Sequence, residues 1–150
     1  VRYLVVGGVA INLHGIPRMT YDLDLMIALD PGNVRQMIDS FQELGYYPRL
    51  PVQMEDFAIE ETRRKWRNEK NMLVFSLTRG AKEFYSVDIF TENPLDFDEC
   101  FARRKVMSGG NCDIPVAATR DLITMKRLSN RAQDVDDIES LEKLGRVRGT

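Results

Sequence analysis

The chain has almost none of the residues from which several common catalytic centres are built. Its 150 residues hold one histidine, His14, and two cysteines, Cys100 and Cys112. No zinc-type ligand spacing exists, and no Ser/His/Asp or Cys/His nucleophilic set assembles. The cysteines sit in unrelated contexts, so two free thiols are expected rather than a disulfide. There is no apolar run long enough to cross a bilayer and no signal peptide, so no membrane partner and a cytoplasmic location are expected. Positive charge is not in excess: the formal net charge is −2, so no general electrostatic pull toward nucleic acid is implied. Low-complexity tracts are missing too. What remains, 43% apolar and 29% charged, describes a single globular domain over residues 1–150.

Within that ordinary composition one stretch is unusual. "GIPRMTYDLDLMI", residues 15–27, reads as a buried strand with Leu23, Leu25, Met26 and Ile27, yet it carries Asp22 and Asp24. Side chains alternate along a strand, so the two carboxylates share a face with Cα atoms about 6.6 Å apart. Like charges at that spacing repel, and carboxylates removed from water without partners are costly. Either the face is a solvated edge, or a cation binds there. Magnesium, or manganese in its place, suits such a pair: a few hard oxygen ligands from protein, completed by water and substrate phosphates.

The neighbouring residues favour the second reading. "RYLVVGG" is a buried strand stopped by a tight turn at Gly7 and Gly8, with the short helix "VAINLHG" following. Glycines there let a phosphate approach backbone amides without a side chain in the way. Arg18 and Thr20 enter the same face and offer a charge and a hydroxyl for phosphate. A third acid, Asp88, lies in "FYSVDIFT" opposite to the face of Tyr85, Val87 and Ile89. Alone it is equally an exposed strand Asp or a ligand; beside Asp22 and Asp24 it completes a three-carboxylate metal site.

Elsewhere the pattern gives a mixture of strands and helices. Asp30 as N-cap, Pro31 at N1 and Gly45 past the end bound a helix with the apolar stripe Val34, Met37, Ile38, Phe41 and Leu44. "MEDFAIEETRRKWRNEK" is partly helical, anchored by Phe57 and Trp66. Strands near 72–78 and 84–91 form a hairpin around Arg79 and Gly80. "FARRKVMSGGNCDIPVA" gives two short strands, and the chain ends in two helices broken near Asn130. The fold class is α+β, a mixed α/β arrangement in which residues 3–7, 20–28, 72–78 and 84–91 share one sheet. Two further candidates have plainer explanations. His14 reads as a helix-end residue, and Trp66 among Arg63, Arg64, Lys65 and Arg67 as a core anchor rather than an RNA-gripping platform.

"VVGGVAINLHG" followed by "RMTYDLDLMI", with "VDIF" placed like a third acid, resembles the signature of the DNA polymerase β-type nucleotidyltransferase superfamily. The ending "DLITMKRLSNRAQDVDDIESL" is similar to the C-terminal helices of minimal nucleotidyltransferases and AbiEii-type toxins. The resemblance implies a mixed sheet flanked by helices and two-metal transfer of a nucleoside monophosphate from an NTP. The acceptor it implies is a hydroxyl of protein, RNA or a small molecule, and the setting it suggests is a toxin–antitoxin pair with a cognate partner. It places magnesium on Asp22, Asp24 and Asp88, phosphates on Gly7 and Gly8, and Lys126 on a phosphate with Asp134 orienting it. For Lys126, Arg131, Asp134 and Asp137 the alternative is a solvated helix face with i,i+3 and i,i+4 pairs. Family members usually carry a helix before the first strand; without it, apolar surface is expected to be exposed or covered in a homodimer. Two rivals stand beside the enzyme: a non-catalytic nucleotide-binding or interaction module on the same fold, and a transferase acting on tRNA ends.

Overall fold

A computed structural model describes residues 1–148, apart from positions 81, 84, 130 and 133. Among these residues seven strands form one mixed sheet: β1 (Tyr3–Val6), β2 (Asp22–Ile27), β3 (Tyr47–Pro48), β4 (Val74–Thr78), β5 (Ser86–Phe90), β6 (Lys105–Ser108) and β7 (Asp113–Val116). Their order is β3-β4-β5-β2-β1-β7-β6. β1 and β2 are antiparallel, as are β4 and β5, whereas β2 runs parallel to β5 and β1 to β7. The four strands expected to share a sheet do so. Phe84, expected at the start of the β5 strand, and Asn130, expected at the break between the last helices, lie outside the described residues.

The first helix, α1 (Gly7–Leu13), begins where a tight turn was expected. Val6 is still extended, and Gly7 turns the chain into the helix within one residue by taking φ +69°, a conformation that a Cβ disfavours. α2 (Pro31–Glu43) follows the sequence closely: the Asp30 side chain accepts from the Asn33 amide at 3.0 Å, and Gly45 sits past the end at φ +87°. A 3-10 turn, Met54–Ala58, leads into α3 (Glu60–Lys70). α4 (Phe97–Ala102), which the sequence reading did not mark, is capped by Asp96 on the Glu99 amide. α5 (Thr119–Ser129) and α6 (Asp134–Arg148) close the chain.

The sheet has two chemically different faces. Tyr3, Val5, Leu23, Leu25, Ile27, Val87 and Ile89 share one by strand alternation and register. It is packed by α1, α2 and the aromatic group Phe57, Phe75 and Trp66, in which Trp66 stacks on Phe75 at 5.3 Å with an interplanar angle of 8°. An open apolar groove of about 430 Å³ crosses this face, bounded by Val1, Tyr3, Val9, Leu23, Phe41 and Ile114. The opposite face carries Asp22, Asp24 and Asp88 and is overlain by α5.

Trp66 and its basic neighbours belong to the scaffold. Arg63 is buried, donates to the Phe57 carbonyl at 2.6 Å and lies over the Phe57 ring. Arg67 reaches the Thr91 carbonyl and Glu92, while Arg64 pairs with Glu60 and Glu61. Trp66→Ala is therefore expected to lower unfolding free energy by about 3–5 kcal/mol, measured by urea denaturation, and Trp66→Phe to recover most of it. An Ala variant of wild-type stability that had lost affinity for RNA would contradict this placement.

Candidate active site

Parallel pairing of β2 with β5 brings the three acids together. Asp24 stands opposite Asp88, and Asp22 opposite Ser86, on strands about 4.8 Å apart. Ser76 of β4 faces Asp88 from the other side. The serines hold two of the carboxylates: Ser86 Oγ donates to Asp22 at 2.7 Å, and Ser76 Oγ to Asp88 at 2.6 Å. Asp24 has no such donor among the described residues. Burial, with repulsion from Asp88 and Asp22, pushes its carboxyl up to about 7, against the opposing pull of Lys126 and Arg131. Burial also raises Asp88, as does Asp22, while Ser76 and Ser86 restrain the shift. Among the described residues no three Asp, Glu, His or Cys side chains stand close enough to hold a metal ion together. The three acids thus share a face, but with Asp22 and Asp88 turned onto serines they do not converge as tightly as the three-carboxylate expectation requires.

Gly7 and Gly8 lie directly against this row. A Cβ on Gly7 would overlap the Asp24 carboxylate, and one on Gly8 would meet Thr20 Oγ1 at 2.7 Å and Arg18 Nη1 at 3.0 Å. The backbone of the glycine pair, the Asp24 carboxylate, the Thr20 hydroxyl and the Arg18 guanidinium are therefore neighbours, as the sequence spacing anticipated. Close approach, more than turn formation, is what requires glycine here.

The third component comes from the C-terminal helices. Lys126 is only 6% exposed and Asp134 only 1%, so these residues are not a solvated helix face. Lys126 Nζ lies 3.2 Å from Asp134 and 3.1 Å from Asp137, and Arg18 lies 3.4 Å from Asp137. Burial alone would raise the Asp134 carboxyl, but the Ser129 hydroxyl, the Arg131 amide and guanidinium, and Lys126 hold it well below the usual carboxylate range. A small cavity of about 100 Å³ over Asp24 is bounded by Gly7, Lys126, Ser129 and Arg131. Asp137, Ser76 and Ser86 did not stand out as site residues in the sequence. Ser86 had a usable signal, since it lies two residues before Asp88 on the same strand face.

The remaining candidates fall away. His14 is buried and bonds through Nε2 to the Ala117 carbonyl at 2.8 Å, fastening the end of α1 to the segment after β7. Cys100 and Cys112 are free; burial pushes the Cys100 thiol up to about 11, which leaves it inert. No helix among the described residues is long and apolar enough to cross a membrane.

The strain at Asp24 has a measurable consequence. Its folded-state pKa lies above the unfolded value, so it opposes folding increasingly as pH rises from about 4 to 7, and the penalty is constant above that range. In chelator-treated protein, Asp24→Asn should be more stable than wild type by about 2 kcal/mol at pH 7.5, roughly half the full linkage value because the carboxylate is partly solvated. At pH 4 the two should converge. Parallel stability–pH curves from chemical denaturation would show that Asp24 is not strained.

Comparison with known proteins places the chain in a family. No curated protein matches the chain. Among solved structures, the crystal structure of lincosamide antibiotic adenylyltransferase LnuA, lincomycin-bound, superposes with a TM-score of 0.58 at 15% sequence identity. The match covers 95% of this chain and 86% of that one; at that identity the likeness is one of fold. The model of the family described as "Nucleotidyltransferase of unknown function (DUF6036)" matches residues 1–147. The chain belongs to this nucleotidyltransferase family.

Proposed function

We propose that the protein is a metal-dependent enzyme that moves a nucleoside monophosphate from an NTP to a hydroxyl of an acceptor. The observation that carries this reading is the row Asp22, Asp24 and Asp88 on one sheet face, closed by the glycine pair on one side and by Lys126 and Arg131 on the other. The donor set is hard oxygen, and the burial of Asp24, together with repulsion from Asp88 and Asp22, is what a cation would offset. Asp22, Asp24 and Asp88 would hold magnesium or manganese once Asp22 and Asp88 turn from their serine partners. Bound there, the ion supplies charge neutralisation for the phosphates.

The residues then divide the work. Gly7 and Gly8 leave room for the triphosphate, with Arg18, Thr20, Lys126 and Arg131 as its polar partners. Asp134 and Asp137 hold Lys126, and Asp137 also holds Arg18. The acceptor oxygen attacks the α-phosphorus, the bond from that phosphorus to the bridging oxygen of the β-phosphate breaks, and pyrophosphate leaves. The hydroxyl proton passes to a carboxylate of the row. The similar fold of an adenylyltransferase makes ATP the first NTP to examine. A toxin–antitoxin setting rests on the resemblance to AbiEii-type toxins alone.

Transfer is read from α-labelled NTPs incubated with magnesium, protein and a cell lysate. Asp22→Asn and Asp24→Asn should each lower the rate by at least about a hundredfold while the fold, followed by melting, is kept. Chelation should stop transfer and a return of magnesium restore it. Retention of magnesium-dependent transfer by both variants would defeat the enzyme reading, and nucleotide binding without transfer to any fraction would favour the non-catalytic module. Gly7→Ala should also abolish transfer, because its Cβ overlaps Asp24 and its φ is positive.

A further inference from the structure

Two cavities border the acid row, and their chemistries are opposite. The one over Asp24 is bounded by Lys126, Arg131 and Ser129. The other, about 220 Å³, opens over the starts of β2 and β5, on the side of the sheet away from Asp24 and Asp88, and its rim is formed by Asp22, Ser86 and Thr20. Its body is Tyr21, Tyr46, Tyr85, Val9, Leu23 and Val87. Among the described residues no lysine or arginine lines it; Arg79 stands over the Tyr46 ring at 5.7 Å but outside the lining. Tyr21 and Tyr85 are exposed, so two of the three rings are free to receive a ligand.

Displacement at phosphorus runs in line, with the attacking and leaving oxygens on opposite sides of the transferred group. The leaving pyrophosphate is anionic and belongs with the cations beside Asp24. The acceptor then approaches from the Asp22 side. We infer that the tyrosine-lined cavity beside Asp22 receives the body of the acceptor, and that this acceptor is a small, uncharged or cationic alcohol built on a single ring system. The inference rests on the nucleotidyl-transfer reading above. Tyrosine rings offer flat apolar faces to a ring, and Asp22, the one acid of the rim, disfavours an anion. The volume is below the about 300–1,000 Å³ of sites for drug-sized ligands, which suits one ring system over a nucleotide. A nucleic-acid acceptor would require cations for its phosphates, and among the described residues none lines this cavity. The acceptor hydroxyl crosses the Asp22 rim to reach the α-phosphorus, and the bonds made and broken are those already given.

The test uses the exposed pair, because Tyr21→Ala/Tyr85→Ala removes ring faces without opening the core. Phenol, one ring with one hydroxyl, is the binding probe, followed by ligand-observed NMR. Magnesium–ATP affinity and transfer from α-labelled NTPs are measured on the same proteins, with the lysate separated into dialysable, protein and RNA fractions. The expected result has four parts: phenol binding at least tenfold weaker in the variant, label on a dialysable product, transfer at least tenfold slower, and magnesium–ATP affinity changed less than twofold. Unchanged phenol binding, or label on protein or RNA, overturns the acceptor assignment and leaves nucleotidyl transfer standing. A tenfold loss of magnesium–ATP affinity in the variant overturns it as well, by giving the cavity to the nucleobase. Absence of transfer by the wild type to every fraction overturns both readings together.

Discussion

Burial of a row of mutually repelling carboxylates organises this molecule. Placing Asp24 between Asp22 and Asp88 on a half-covered sheet face costs stability that a purely structural domain would avoid. Every polar neighbour can be understood as a response to that cost. Ser76 gives its hydroxyl to Asp88, the Ser86 hydroxyl lies against both Asp22 and Asp88, Lys126 and Arg131 bring positive potential to Asp24, and the glycine pair, having no side chains, leaves space. Asp24 is the member left without a hydrogen-bond donor among the described residues, and it is therefore the natural seat of the unmet charge.

The cations are themselves organised. Lys126 is not a free lysine reaching for solvent but a buried group between two aspartates, one of which also holds Arg18. A buried ammonium needs such partners, and the pairing fixes α5 and α6 relative to the loop before β2. Geometry at the acid row thus depends on the C-terminal helices as well as on the sheet. The other sheet face, with Trp66 stacked on Phe75 and Arg63 lying over Phe57, provides the rigid backing.

Much of this was legible in the sequence for a simple reason: it depends on short-range pattern. Asp22 and Asp24 stand out because period-two alternation makes two acids in an apolar strand conspicuous, and Asp88 because its neighbours are apolar. Asp30, Pro31 and Gly45 mark α2 by local capping chemistry. The two-residue strand β3 and the one-and-a-half-turn helix α4 were not legible, since neither is long enough to show a period. Ser76, Ser86 and Asp137 matter only through partners supplied by other elements, and a serine or a helical aspartate looks the same in sequence whether or not it has one. The groove and the tyrosine-lined cavity are products of packing and leave no local signature.

The parallel alignment of β2 with β5 carries a consequence for how the protein comes to exist. Ser86 and Asp22 are bonded across 64 positions of sequence, and α2, β3, α3 and β4 lie between them. Contacts of that separation carry a loop-closure cost and slow folding. No fragment ending before β5 contains the site. A ligand that binds the assembled acids therefore recognises only the finished chain, and by mass action it draws the folding equilibrium toward completion.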